Sequence, residues 1–334
     1  MSNPTAPRVG LVGLGNLGSA VGNLVANNGF DVIGWEYNRA VVDEINGQHS
    51  NSRYLAGIEL HSKLAATSEL AEVVAASQIL FVALPSAFIL PTLQPVRHLV
   101  PQNAILVNMA KGIDGATGLT SFQTITSMFP QQRCVMLSGP SIANEFARGM
   151  PTIVVLAGQQ ITDLVQVARV LDAAHFRTRF SHDAMGVELG GLLKNIYAIG
   201  LGIFDGRQID SVNFRSVYLT IALEEMTKIG VALGAQAETF AYLPGMGDLL
   251  ATSLSPHSHN RHLGERLSQG WTLDAIRSEM GVLPEGFNTL RIMLNVAEKM
   301  HVSLPLARAL WDVIHGRLEA EHFIFAFIRD FVEE

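Results

Sequence analysis

Val9-Gly10-Leu11-Val12-Gly13-Leu14-Gly15-Asn16-Leu17-Gly18 is the stretch on which the reading of this chain turns. Val9–Val12 is a short, buried-strand run. Immediately after it the hydrophobic period changes. Leu17, Ala20, Val21, Leu24 and Val25 fall on one face of a helix that opens at Asn16 and meets its stop signal at Asn27-Asn28-Gly29. Between strand and helix lie Gly13, Gly15 and Gly18, in Gly-x-Gly-x-x-Gly spacing. At such a turn the first glycine permits a tight bend and the second lets backbone approach a pyrophosphate. The third allows close helix–strand packing. The helix N-terminus then offers unpaired N–H groups to the anion. Gly13, Gly15, Asn16, Leu17 and Gly18 are therefore the candidate dinucleotide-binding segment.

Working outward, Asp31–Trp35 reads as the second strand, and Glu36 follows it. Glu36 lies 36 − 13 = 23 residues after the first glycine. A carboxylate there can accept hydrogen bonds from the ribose 2′-hydroxyl and would repel a 2′-phosphate, which favours NAD. Arg39, three residues on, could take that phosphate, so NADP stays open. Further strands are expected at Ile79–Ala83, Ile105–Asn108, Val135–Leu137 and Ile153–Ala157, separated by helical stretches such as Leu70–Ala76. Alternation of this kind implies crossover units and a mostly parallel sheet. From about Gly186 the strand signal vanishes. Phe214, Tyr218, Ile221, Ala222, Met226, Ile229 and Leu233 keep helical spacing, and Trp311 to Val332 is helical in period. The expected fold is α/β: a Rossmann-like dinucleotide-binding domain over residues 1–185, then an all-helical substrate-binding and catalytic domain over 186–334.

Composition narrows the function. Across 334 residues, 23 Lys+Arg oppose 30 Asp+Glu, a net charge of −7 that lacks the basic footprint of a nucleic-acid binder. Hydrophobic residues make up 48% and charged ones 16%, which argues against disorder and raises the question of a membrane. The longest candidate stretch, Ile79–Leu90, is broken by Pro85 and falls short of the ~18 residues a span needs. No integral membrane association is expected. Cys134 is the single cysteine, so there is no internal disulfide and no thiolate cluster for a metal. The N-terminus has no apolar signal region, and a cytoplasmic location is expected.

Three segments place polar groups where packing does not ask for them. Lys111 follows a strand at the sheet edge where open α/β folds bind ligands, although an exposed turn residue would look the same. Ser141, in Leu137-Ser138-Gly139-Pro140-Ser141, sits at another strand-to-helix junction and could be a helix cap. Lys194 and Asn195 interrupt the apolar, glycine-rich helical stretch that begins at Gly186. A lysine there either snorkels outward or points into a cleft, where it could transfer protons.

Together these motifs resemble a known family. Gly-x-Gly-x-x-Gly, Lys111-Gly112-Ile113-Asp114, Leu137-Ser138-Gly139-Pro140-Ser141, Gly186-Val187-Glu188-Leu189-Gly190-Gly191 with Lys194-Asn195, and Gly245-Met246-Gly247-Asp248-Leu249 occur in the order and spacing of bacterial NAD(P)-dependent glycerol-3-phosphate dehydrogenases. The similarity continues through Ala297-Glu298-Lys299 and Leu304-Pro305. It implies that Lys194 is the catalytic lysine and that Asp248 contacts the substrate hydroxyl and orients that lysine. By the same resemblance Lys111, Gly139, Ser141, Thr252, Ser258, His259 and Asn260 belong to the substrate cleft. Glu36, Lys111, Ala143, His259 and Glu285 join the phosphate-loop residues at the cofactor. The implied reaction interconverts dihydroxyacetone phosphate and sn-glycerol 3-phosphate, in a homodimer.

The chain also departs from that pattern. The segment usually reads Ser-Arg-Asn, and here it is Ser258-His259-Asn260. Another family arginine is Ile221, the segment after Asp205-Gly206 is about one residue longer, and Asn16-Leu17 replaces a Ser/Ala–Trp/Phe-like pair. Arginine offers a planar, permanently charged fork to phosphate and histidine does not. Arg261, Arg215 or His257 are candidates to compensate. Three readings follow: the triose phosphate enzyme, a relative acting on a different small ketone, and a cofactor-binding sensor without turnover. His257, His259 and His262 have a superficially metal-like spacing but lack a matching carboxylate or cysteine set, and no metal is expected. Phe323–Ile328 reads as a packed helix end or subunit contact.

Overall fold

The computed structural model describes residues 6–255 and 258–330. The first of two compact units comprises residues up to Lys111 and Leu119–Val187. In chain order its elements are β1 (Val9–Val12), α1 (Asn16–Asn27), β2 (Val32–Trp35), α2 (Arg39–Gln48), β3 (Leu64–Thr67), α3 (Leu70–Ala76), β4 (Ile79–Val82), α4 (Ser86–Leu93), β5 (Ile105–Asn108), α5 (Ser121–Met128), β6 (Arg133–Ser138), α6 (Ala143–Phe146), β7 (Thr152–Ala157), α7 (Ile161–Leu171) and β8 (Phe176–Ser181).

The strands form one eight-stranded sheet in the order β3-β2-β1-β4-β5-β6-β7-β8. All neighbours are parallel except β6 and β7, which pair antiparallel through Met136↔Ala157 and Ser138↔Val155. Both faces are covered. Leu11, Phe81, Val107 and Leu137 pack with Val21, Leu24, Leu164 and Val167 of α1 and α7. The opposite face sets Leu80, Val82 and Leu106 against Val73, Ile89 and Ile125. Continuous apolar strands with helices on both sides are what buried parallel sheets require.

Two strands escape the sequence reading, β3 and β8. β3 is Leu-Ala-Ala-Thr, with two alanines in four residues, and β8 is Phe-Arg-Thr-Arg-Phe-Ser. They are the two edges of the sheet, where half-exposed positions tolerate small and charged residues and weaken the β signal.

The second unit comprises residues 112–118 and Glu188 onward. The stretch 112–118, inside the span 1–185 expected for the first domain, groups with the helices. The helices are α8 (Ala184–Gly206), which crosses the unit boundary, α9 (Val212–Ala232), α10 (Ala237–Phe240), a π turn (Leu243–Gly247), α11 (Asp248–Leu254), α12 (His259–Ser268), α13 (Leu273–Met280), α14 (Glu285–Lys299), α15 (Pro305–Ile314) and α16 (Ala320–Asp330). The helical period from Trp311 is thus two helices rather than one, parted at Gly316, whose φ of +66° favours glycine. α8 is long and apolar enough to cross a membrane by length and composition. Its most apolar window is 89% buried inside the fold, which makes it the core helix of this unit.

Candidate active site

In the first unit, the turn after β1 is shaped by its glycines. Gly13 has φ of +101°, a region that side chains avoid. A methyl group added at Gly18 would collide with the Gly13 carbonyl, so this glycine is what lets α1 lie close to the turn. Around Gly15 a methyl group would meet nothing, leaving open space at the start of α1. No side chain caps α1, so its first N–H groups remain available to an anion. Asn16 is exposed and ties the loop at Tyr54 to α6, donating to the Tyr54 carbonyl at 2.6 Å and to Asn144 Oδ1 at 3.1 Å. Leu17 packs partly buried against the core.

Glu36 is buried at the end of β2. It is 3% exposed, its N–H donates to the Thr67 carbonyl, and its Oε1 accepts from the Asn38 N–H at 3.0 Å. Tyr54 lies nearby with Arg53 over its ring, 5.3 Å from the centroid. Burial, then the neighbouring Tyr37 hydroxyl, raises the Tyr54 phenol above its ordinary range.

At the end of β6 the chain turns through Gly139, φ +112°. Its carbonyl accepts from Lys111 Nζ and from Ser141 Oγ, each at 3.1 Å. Lys111, Gly139 and Ser141 are thereby brought together. Ser141 is not a helix cap: α6 begins after Ile142 without a side-chain cap. Ala143 is buried in the core beneath this turn.

In the second unit, α8 brings Lys194 to α11. Lys194 Nζ lies 2.7 Å from Asp248 Oδ1 and 2.6 Å from Thr252 Oγ1. The side chains of Lys194 and Asp248 are 14% and 3% exposed, so the pair is largely withdrawn from solvent. Thr252 spends its single hydroxyl proton on the Asp248 carbonyl at 2.8 Å. Its oxygen is therefore held as an acceptor for the ammonium. These contacts account for two of the three ammonium hydrogens. One helical turn on, Tyr197 donates to Glu225, which also accepts from the N–H groups of Leu306 and Ala307 at the start of α15. Burial pushes the Glu225 carboxyl up to about 7 despite those donors.

Asn260 joins the same region. It donates to Asn195 Oδ1 at 3.2 Å and accepts from the Gly286 N–H at 2.9 Å. Ser258 caps α12 by accepting from the Arg261 N–H. His259, in the first turn of α12, is exposed. Glu285 opens α14 with its carboxylate against Gly112, where any side chain would collide with it.

Arg215 and Arg261, the two arginines expected to compensate for His259, are both engaged elsewhere. Arg215 donates to Asp205 and to the Ile209 carbonyl, and Arg261 to the other oxygen of Asp205. His257 lies outside the described residues. His262 pairs with Glu265 and Glu279 at 3.5 Å, and no cluster of three potential metal ligands occurs among the described residues.

This arrangement has close counterparts. Residues 8–163 match the N-terminal region, and residues 183–325 the C-terminal region, of NAD-dependent glycerol-3-phosphate dehydrogenase. The chain belongs to the NAD-dependent glycerol-3-phosphate dehydrogenase family. The glycerol-3-phosphate dehydrogenase [NAD(P)+] of Carboxydothermus hydrogenoformans is 36% identical over 320 residues, covering 95% of each chain. The Acinetobacter baumannii protein of the same name is 38% identical over 310 residues, covering 93% of this chain and 86% of the relative. The crystal structure of the Coxiella burnetii glycerol-3-phosphate dehydrogenase superposes with a TM-score of 0.89 at 27% identity, over 98% of this chain and all of the other. The α/β dinucleotide-binding fold with a helical C-terminal region is thus a property of this oxidoreductase family, as is the use of NAD(P).

Sequence reading missed two parts of the site. Asn195 was noticed as polar, but its link through Asn260 to Gly286 joins residues 65 and 26 positions apart. Asp205 and Arg261 went unpaired because nothing in their spacing, 56 positions, signals a contact.

Proposed function

We propose that this chain interconverts dihydroxyacetone phosphate and sn-glycerol 3-phosphate, with Lys194 as the acid/base and NAD preferred over NADP. The observation that carries this reading is the Lys194 ammonium seated between Asp248 and Thr252 in the helical unit of a family that uses NAD(P). Gly13, Gly15 and Gly18 fit a dinucleotide pyrophosphate at the start of α1, and Glu36 fits the ribose hydroxyls. A bound nicotinamide supplies or takes up the hydride.

The chain's own residues handle charge and protons. As a ketone carbon is reduced, negative charge builds on its oxygen, and the Lys194 ammonium stabilises that charge and delivers the proton. In the reverse direction the neutral amine takes the hydroxyl proton. Asp248 pairs with the ammonium and, with Thr252, fixes its direction. Lys111, Gly139, Ser141, Ser258, His259 and Asn260 are assigned to the substrate, and Ala143 and Glu285 to the cofactor. A cytoplasmic homodimer completes the proposal.

A second reading, a dehydrogenase of a different small ketone, is favoured by one observation: His259 stands exposed while Arg215 and Arg261 are both held by Asp205. Losing one charge-assisted phosphate contact costs about 1.5–3 kcal/mol, enough to shift substrate preference. The test follows NADH and NADPH oxidation with dihydroxyacetone phosphate, then with phosphorylated and unphosphorylated ketones. Efficient turnover of the triose phosphate with NADH is expected. Turnover only of another ketone would establish the second reading, and much tighter NADPH binding would remove the Glu36 argument.

A further inference from the structure

Three helices of the second unit converge on the Arg261 guanidinium. From α12, Arg261 reaches Asp205 at the end of α8 with Nε at 2.7 Å and Nη2 at 2.6 Å. Its Nη1 donates to the carbonyl of Ser253, in the last turn of α11, at 2.9 Å and to that of Ser255, the next residue after α11, at 2.5 Å. The guanidinium therefore grips the C-terminal end of α11, where helix carbonyls are directed outward. The side chains of Arg261 and Asp205 are 13% and 16% exposed, and Arg215 holds the other Asp205 oxygen. Glycines bring α8 and α12 close: a methyl group on Gly202 would strike the Arg261 carbonyl, and one on Gly264 the Ile199 carbonyl.

The helices joined here are the ones that carry the site. α8 bears Lys194 and Asn195, α11 bears Asp248 and Thr252, and α12 bears Asn260. From Lys194 to Asp205 is eleven residues, about 16 Å of helix. α11 is therefore attached to α8 in two places, at the Lys194–Asp248 pair and through Arg261.

We propose that Arg261 is a positioning residue for proton transfer, acting through α11 on Asp248 and Thr252 and through α12 on Asn260, and is not a ligand of the substrate anion. The proposal rests on the reading of Lys194 as acid/base. A lysine cannot replace Arg261, because a single ammonium lacks the planar fork that spans one carboxylate and two carbonyls.

The test compares wild type, Arg261→Ala, Arg261→Lys and Asp205→Asn with dihydroxyacetone phosphate and NADH, with turnover expressed per cofactor-binding site. Displacing a reacting group by an ångström costs about 100-fold, so kcat of Arg261→Ala should fall by at least ~30-fold. KM should stay within a few-fold, and Arg261→Lys should be as slow as Arg261→Ala. Sub-denaturing guanidinium should restore part of kcat in Arg261→Ala and leave wild type unchanged. A large rise in KM at unchanged kcat would make Arg261 a substrate ligand and overturn the proposal. So would wild-type turnover per site in both Arg261 variants. If Arg261→Ala does not fold, Arg261→Lys and Asp205→Asn give the same split between kcat and KM. A wild type inactive on the triose phosphate would instead overturn the substrate assignment and Lys194's role in it.

Discussion

Lys194 has its direction fixed by two neighbours with different jobs. Asp248 supplies the opposing charge, and Thr252 supplies an oxygen whose own proton is already committed. An ammonium held this way has little rotational freedom to lose when a ketone arrives, which is how positioned acids gain over solvent. Lys194→Ala should therefore lower kcat by 10²- to 10⁴-fold, the usual range for a general acid. Dissociation constants for NADH should stay within about twofold, since the candidate pyrophosphate and ribose groups lie in the other unit. Rapid-mixing turnover assays with a parallel fluorescence titration check both halves, and near-normal turnover would remove the lysine from the chemistry.

At the scale of elements, the parts legible in the sequence are those where one local rule suffices. β1, the turn and α1 follow from a change of hydrophobic period and three glycines, and β5 and α3 fall where the pattern puts them. The edge strands β3 and β8 were hidden by alanine and arginine, whose placement only the sheet order explains. Within the site, Lys194 stood out as a charge in an apolar helix, whereas its partners 54 and 58 positions away came from family resemblance and not from spacing. The Asp205–Arg261 clamp was invisible for the same reason: tertiary contacts leave no local period.

Glu225 is a case that only packing creates. It is 2% exposed on α9 and joins Tyr197 of α8 to the first N–H groups of α15. Because burial raises the folded carboxyl from 4.5 to about 7, the folded chain keeps this proton while the unfolded chain gives it up. This group's contribution to stability is accordingly most favourable below pH 4.5. It declines as pH rises to 7 and is flat beyond, a total of about 3 kcal/mol. Glu225→Gln cannot ionise. Its stability relative to wild type, from urea unfolding, should improve by about 3 kcal/mol between pH 4.5 and pH 8. A difference independent of pH would mean that the carboxyl does not titrate in this window.

For the molecule as a whole, low charge content reflects where apolar residues go: a sheet covered on both faces and a 23-residue core helix. Cofactor affinity should appear as thermal stability, because a ligand that binds only the folded state stabilises it by mass action. At about 100 times its dissociation constant NADH should add about 2.7 kcal/mol, a rise of roughly 4 °C for cooperative unfolding of a chain this long. Scanning calorimetry should show the same rise in Lys194→Ala, and no rise in either protein would count against the dinucleotide site.

The antiparallel pairing of β6 with β7 has a further consequence. A parallel successor would oblige the chain to travel the full height of the sheet before starting its next strand. Reversal removes that journey, so everything from Gly139 to Pro151 is spent at the rim where open α/β sheets receive their ligands. Ser141 and Ala143 owe their place at that rim to the direction of one strand. Within it, Ala143 and Phe146 of α6 anchor the segment to the core, so a change of residues on its outer side would reshape the rim without altering the register of any strand.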